Sequence, residues 1–354
     1  MTVGICSPTI RNGRVSVSHG AFRIEGDYDP TVRVPEVVLK SVGFIGEMTE
    51  RDSAGVGGDL VATGFFVSTP FRNPVLANKR FVYFVTAAHV AKDLSDKPIY
   101  FLVNKRGGGV TSLDPMGEGW IKHPTDPSAD IAVVPLRLNP EADVMTVAEP
   151  DLVRPFDLSD KRVGIGDEVF ITGLFTAAPG ESRNMPIVRH GNLAMVPEEQ
   201  IQTEMGFADV YLVEARSIGG LSGSPVFVRT ADYRSEGLDS TRGIKLLGLM
   251  HGHWDIRESE INQPSIVHDR QRGVNLGIGI VVPAIKIVET INSPQAAEWR
   301  DMVGKAASRK SVPGTDIARK SGEEEHPLTQ QEFGEALKKA SRKIEPSASD
   351  KSEK

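Results

Sequence analysis

Phe81-Val82-Tyr83-Phe84-Val85-Thr86-Ala87-Ala88-His89-Val90 is a run of large apolar residues that ends in three small ones and then a histidine. β-Branched and aromatic residues in an unbroken run of this length predict a buried strand. The small residues after it let the backbone turn tightly and leave the imidazole of His89 facing a cleft. Two further stretches share this construction. His123-Pro124-Thr125-Asp126-Pro127-Ser128-Ala129-Asp130-Ile131-Ala132-Val133-Val134 puts Asp130 at the mouth of an apolar strand, where its carboxylate is partly buried. Gly219-Gly220-Leu221-Ser222-Gly223-Ser224-Pro225-Val226-Phe227 puts a glycine-flanked serine just before another.

Outward from these stretches, short runs rich in Val, Ile, Phe and Tyr recur with turn residues between them. One set covers 37–39, 64–68, 81–85, 99–103 and 131–136; a second covers 168–172, 187–196, 210–214, 225–228, 246–250 and 277–282. Strands at this spacing, without long helices between them, predict sandwiches or barrels. The chain has 35 glycines and 23 prolines, which suits many short strands. The expected organisation is a leader over 1–35, one barrel over 36–160, a second over 161–292 and a charged tail over 293–354. Residues 148–166, with Pro150, Pro155 and several charges, read as the inter-barrel linker. The tail is rich in Lys, Glu, Ser and Pro and is expected to be largely disordered. Within it, Thr329 and Glu332 form a capping-box pattern ahead of Phe333, Ala336, Leu337 and Ala340 at helical spacing. The segment 329–341 therefore reads as a short helix, a candidate contact for an unknown partner.

Composition removes several classes. The net charge of -6 gives no footprint for nucleic acid. No apolar run is long enough to cross a bilayer, and the first twenty residues lack the pattern of a secretory signal, so the chain reads as cytoplasmic. Cys6 is the single cysteine, so no intrachain disulfide can form. Gly55-Val56-Gly57-Gly58 and Arg106-Gly107-Gly108-Gly109 lack the Lys-Ser/Thr of a phosphate cradle. His251 and His253 alternate on one strand, but no further His or Cys stands near them in sequence, so neither metal nor any other cofactor is expected.

What the three stretches offer together is acyl transfer. A serine hydroxyl is a weak nucleophile and needs a base beside it. Histidine titrates near neutrality and can be that base. A carboxylate on its far ring nitrogen fixes the tautomer and stabilises the imidazolium. Glycine beside the serine lets backbone N–H groups converge on a developing oxyanion. Asp126 is the rival carboxylate to Asp130, but Asp130 directly abuts the apolar strand. His123 reads as a loop residue. The order His, Asp, Ser and the Ser224 at the second glycine position both argue against a lipase-type elbow.

Val85-Thr86-Ala87-Ala88-His89, Ala129-Asp130-Ile131-Ala132 and Gly220-Leu221-Ser222-Gly223-Ser224-Pro225 resemble, in that order, the histidine, aspartate and serine motifs of the trypsin-like serine peptidases. The bacterial HtrA-type branch is the nearest. Thr63-Gly64-Phe65-Phe66-Val67, Gly166-Asp167-Glu168-Val169 and Gly277-Ile278-Gly279-Ile280-Val281-Val282-Pro283 resemble supporting strands. The likeness spans about 37–292, and the remaining tail is too short and polar for the PDZ domain that usually follows in HtrA-type proteins. It implies an all-β fold of two packed six-stranded antiparallel barrels. It implies a serine endopeptidase with catalytic His89, Asp130 and Ser222, an oxyanion hole from the backbone of Gly220 and Ser222, and a peptide or unfolded protein segment as substrate. It also directs attention to Arg216, His251, Gly252 and His253 as substrate-binding residues. An arginine at 216, where trypsin has an aspartate, would reverse the charge preference. Leu221 stands where zymogen-activated relatives carry an aspartate, so activation by N-terminal cleavage is not expected. The other reading is a catalytically idle module of the same fold that holds peptides without cutting them.

Overall fold

The computed structural model describes residues 10–11, 14–15, 34–48, 58–117, 119–203, 206–215, 220–230, 243–256 and 274–311. The expected helix over 329–341 lies outside them. Strands β1 (Ile10–Arg11) and β2 (Arg14–Val15) form a small antiparallel ladder. Helix α1 (Glu36–Leu39) leads into β3 (Val42–Met48), β4 (Gly58–Pro70) and β5 (Arg80–Thr86). Helix α2 (Ala88–Asp93) follows β5, and then come β6 (Ile99–Asn104), β7 (Val110–Leu113), β8 (Ile121–Lys122), β9 (Ala132–Pro135) and β10 (Val147–Ala148). These strands make one sheet in the order β7-β6-β3-β4-β5-β9-β8, with β10 parallel to the end of β4.

Among the described residues this first sheet does not close into the expected barrel. The segment after β7 meets the end of β9 through a single bridge between Pro115 and Leu136, supported by Met116 N–H donating to the Pro135 carbonyl. Pro115 and Pro135 carry no N–H, so a longer ladder cannot form there. Its interior is aromatic: Phe84 lies edge-on to Phe66 at 5.2 Å and tilted against Phe101 at 4.7 Å.

After helix α3 (Pro155–Ser159) come β11 (Glu168–Gly173), β12 (Ile187–Met195), a separate pair β13 (Ile201–Thr203) and β14 (Gly206–Ala208), β15 (Tyr211–Glu214), β16 (Pro225–Arg229), β17 (Ile244–Ile256) and β18 (Val274–Pro283). Six of them close into a barrel in the order β11-β12-β15-β18-β17-β16. The linker is built onto it. Buried Asp157 of α3 takes the Lys245 ammonium at 2.8 and 2.9 Å, and Val153 N–H donates to the Leu246 carbonyl.

Helices α4 (Ala284–Ile291) and α5 (Pro294–Ser311) close the described chain and move the tail boundary expected at 293. Ala296, Ala297 and Arg300 are buried, and the Tyr83 hydroxyl donates to the Ala296 carbonyl at 2.8 Å. Further along α5, Ser308 accepts from Asn73. α5 thus covers the outer side of β5, which is why β5 is apolar at successive positions rather than at alternate ones. Ending the chain at Asn292 should strip this cover from Tyr83. Burial of one such side chain is worth roughly 1.5–3 kcal/mol. A urea midpoint lowered accordingly is expected, and an unchanged midpoint would show that α5 adds nothing to the body.

Candidate active site

His89 is the second residue of α2. Its backbone N–H is one of the donors that a helix leaves without an intrahelical acceptor in its first turn. Ala87 at the cap position offers no side-chain acceptor. Asp130 supplies one: its Oδ1 accepts from His89 N at 2.8 Å. Its Oδ2 lies 2.7 Å from Nδ1 of the same histidine. One carboxylate therefore both starts the helix and aligns its imidazole. The Asp130 side chain is 1 % exposed and that of His89 is 36 % exposed, so the carboxylate is sealed while the ring meets solvent.

Asp130 stands at the end of a loop that Asp126 and His123 build. Asp126 Oδ1 accepts from Ser128 N and Ser128 Oγ, at 3.0 and 2.6 Å, and its Oδ2 takes the Lys286 ammonium at 2.7 Å. These partners hold the Asp126 carboxyl down at about 2 against the upward push of burial. His123 accepts the Asp126 N–H at Nδ1, and its Nε2 lies 2.8 Å from Glu289. The structure thus brings Asp130, and not Asp126, to His89.

Ser222 lies on a turn pinned from both sheets. Thr63 of β4 donates its hydroxyl to the Gly220 carbonyl at 2.7 Å and accepts from Leu174 N with the same oxygen. Gly223 N–H donates to the Met250 carbonyl, and Met250 N–H donates back to the Ser224 carbonyl. Gly220 and Gly223 have φ of 92° and 84°, the left-handed region where a side chain is strained. Among the described residues the Ser222 N–H has no backbone acceptor. The Ser222 hydroxyl donates to the carbonyl of His251 at 3.2 Å, and no hydrogen bond joins it to His89.

The remaining expected residues separate. Arg216 lies outside the described residues. Gly252 and His253 are ladder residues of β17, opposite Ile280 and Gly279 of β18. His251, read from the sequence as a substrate-binding residue, has its ring on Asp130: Nδ1 is 2.5 Å from Oδ2, the same oxygen that meets His89. The two imidazoles stand edge to face, with centroids 5.4 Å apart. Burial pushes the Asp130 carboxyl up, but the hydrogen bonds from the His251 and His89 rings outweigh it and hold it well below the usual carboxylate range. Burial lowers the His89 pKa, but the hydrogen bond and charge of Asp130, with a smaller contribution from Asp93, outweigh it and raise it.

His89, Asp130 and His251 are also the group of potential metal ligands among the described residues, with ligand atoms within 4.8 Å of one another. A tetrahedral zinc site with bonds near 2.0 Å sets its ligand atoms about 3.3 Å apart. The 2.7 and 2.5 Å separations here are those of charge-assisted hydrogen bonds instead.

No family model and no curated protein matches this sequence. The solved structures it resembles are protease domains, HtrA-type among them. The MamO protease domain from Magnetospirillum magneticum is 18% identical, with 71% of this chain and 96% of that one covered and a TM-score of 0.42. Rv3671c from M. tuberculosis H37Rv, in an inactive form, is 15% identical over 76% of this chain and 94% of that one, with a TM-score of 0.40. The HtrA-type protease AlgW with a decapeptide is 15% identical over 76% of this chain, with a TM-score of 0.39; the match spans 66% of the AlgW chain. Likeness at this level is remote, and what the site can do follows from its own residues.

Proposed function

We propose that the chain is a serine endopeptidase in which Ser222 attacks a peptide carbonyl, His89 takes the serine proton and Asp130 orients His89. The observation that carries this is the doubled grip of Asp130, on His89 N and on His89 Nδ1. It leaves Nε2 as the basic nitrogen of a neutral ring, on the solvent side of a sealed carboxylate. The relay requires the Ser222 hydroxyl to leave the His251 carbonyl and bond to Nε2 instead. The proton then passes from Oγ to Nε2, Oγ bonds to the carbonyl carbon, and the amine leaves with that proton. Water next attacks the acyl-enzyme with His89 again as base. The N–H groups of Gly220 and Ser222 are the proposed oxyanion donors. A peptide or unfolded segment is the proposed substrate, since acyl transfer from an amide needs a peptide carbonyl within reach of Ser222.

The bond from Ser222 to the His251 carbonyl favours a second reading, an idle module that holds peptides in the same cleft. A fluorophosphonate probe separates the two. The full chain is expected to label at Ser222, and Ser222→Ala is expected to lose labelling while keeping its melting temperature. Labelling that survives in Ser222→Ala would put the nucleophile elsewhere, and an unreactive parent protein would establish the idle module.

A further inference from the structure

We propose that His251 is a positioning residue of this site: by sharing the carboxylate oxygen that His89 uses, it sets how strongly Asp130 can stabilise a protonated His89. The proposal rests on the serine-peptidase reading and adds a residue to it.

The backbone explains why His251 reaches Asp130. Along β17, Met250 faces Val281 and Gly252 faces Ile280, so His251 is the extra residue of a β-bulge. A bulge re-aims the side chain it carries, and bulges are frequent beside active sites. Here the ring swings to Asp130 while the carbonyl of the same residue accepts from Ser222. His251 is thus bonded to two of the three residues proposed for catalysis.

The chemistry follows from the acceptor. An ionised carboxylate oxygen only accepts, so both imidazoles must carry their proton on Nδ1 to bond to it. Each such bond draws off part of the Asp130 charge. Without His251 that charge falls on His89 alone, and His89 becomes more basic. Among the described residues, the ionisable groups bearing on the cluster from the elements around it are Asp93 of α2, Asp130, His89 and His251.

The test is the rate of fluorophosphonate labelling against pH for the full chain, His251→Ala and His251→Asn. The Nδ2 of asparagine stands about where histidine has Nδ1, so Asn restores the donor without the ring. Removing one charge-assisted hydrogen bond should raise the acid limb by about half to one pH unit in His251→Ala. It should return towards the parent value in His251→Asn. A residue that merely fills space would lower the plateau in His251→Ala and leave the limb in place, and that result overturns the proposal. So would Ala and Asn variants that behave alike. Proton NMR of the ring N–H groups gives a readout independent of reactivity: two strongly deshielded Nδ1 protons are expected in the parent chain and one in His251→Ala. A single such proton in the parent chain would overturn the shared oxygen. A parent chain that never labels but shows both protons would sink the peptidase reading and keep the shared oxygen.

Discussion

Asp130→Asn is expected to slow the reaction of Ser222 about 10⁴-fold, the loss that follows when a catalytic histidine is held in the wrong tautomer. Asp130 accepts three N–H groups: the backbone N–H of His89, the Nδ1–H of His89 and the Nδ1–H of His251. An asparagine in its place has one acceptor oxygen, and its amide nitrogen can only donate. If the oxygen keeps the His89 backbone, the amide nitrogen faces the rings and drives His89 to carry its proton on Nε2, where a base is needed. The pH profile should change as well. Asp130 raises the His89 pKa, and the ring serves as a base only above that value. With a neutral amide the residual activity should persist to lower pH, so its acid limb moves down. Asp126→Asn is the control. It breaks the pair with Lys286 and loosens the turn at Ser128, but touches neither imidazole. Labelling by a fluorophosphonate, measured for both variants across pH, decides it: a large loss in Asp126→Asn with little in Asp130→Asn would reverse the assignment.

The parts of the site that were legible in the sequence are those set by local runs. β5 and β9 announce themselves as apolar stretches, and each places a polar residue beside its end, His89 after one and Asp130 before the other. The turn at Ser222 is legible because only glycine accepts φ near +90° on both sides of it. Longer-range features were hidden. The alternation of a strand puts His251 and His253 on one face, and the bulge at His251 cancels that count. Helix α5 is not legible because its inward face is made of Ala296, Ala297 and Arg300, which read as a solvated helix or a polar tail. Arg300 is fully enclosed even so, bonded to Asn292 and Thr69. How far the first sheet closes depends on where the segment after β7 bridges to Leu136, which no local pattern encodes.

Gly223→Ala should cost both stability and reactivity, and for two separable reasons. At φ of 84° a Cβ is strained by about 1–2 kcal/mol. It would also stand 2.2 Å from the Thr63 carbonyl oxygen and 2.3 Å from Thr86 Oγ1. Neither can yield readily: Thr63 is paired to Phe44 in the ladder of β3 and β4, and Thr86 Oγ1 already donates to that carbonyl at 2.8 Å. Relief therefore requires the Ser222 turn to move away by roughly 1 Å, a displacement that typically costs about 10²-fold in rate. Gly166→Ala isolates the first reason. Its φ is 90° and nothing lies within 4 Å of an added Cβ, so it bears the strain without the collision. Unfolding free energies from urea titrations should fall by about 1–2 kcal/mol in Gly166→Ala and by about 3–4 kcal/mol in Gly223→Ala. Labelling of Ser222 should be normal in the first and at least about 10²-fold slower in the second. Equal effects in the two variants would mean that the turn carries only backbone strain, and that its approach to Thr63 and Thr86 does not position the serine.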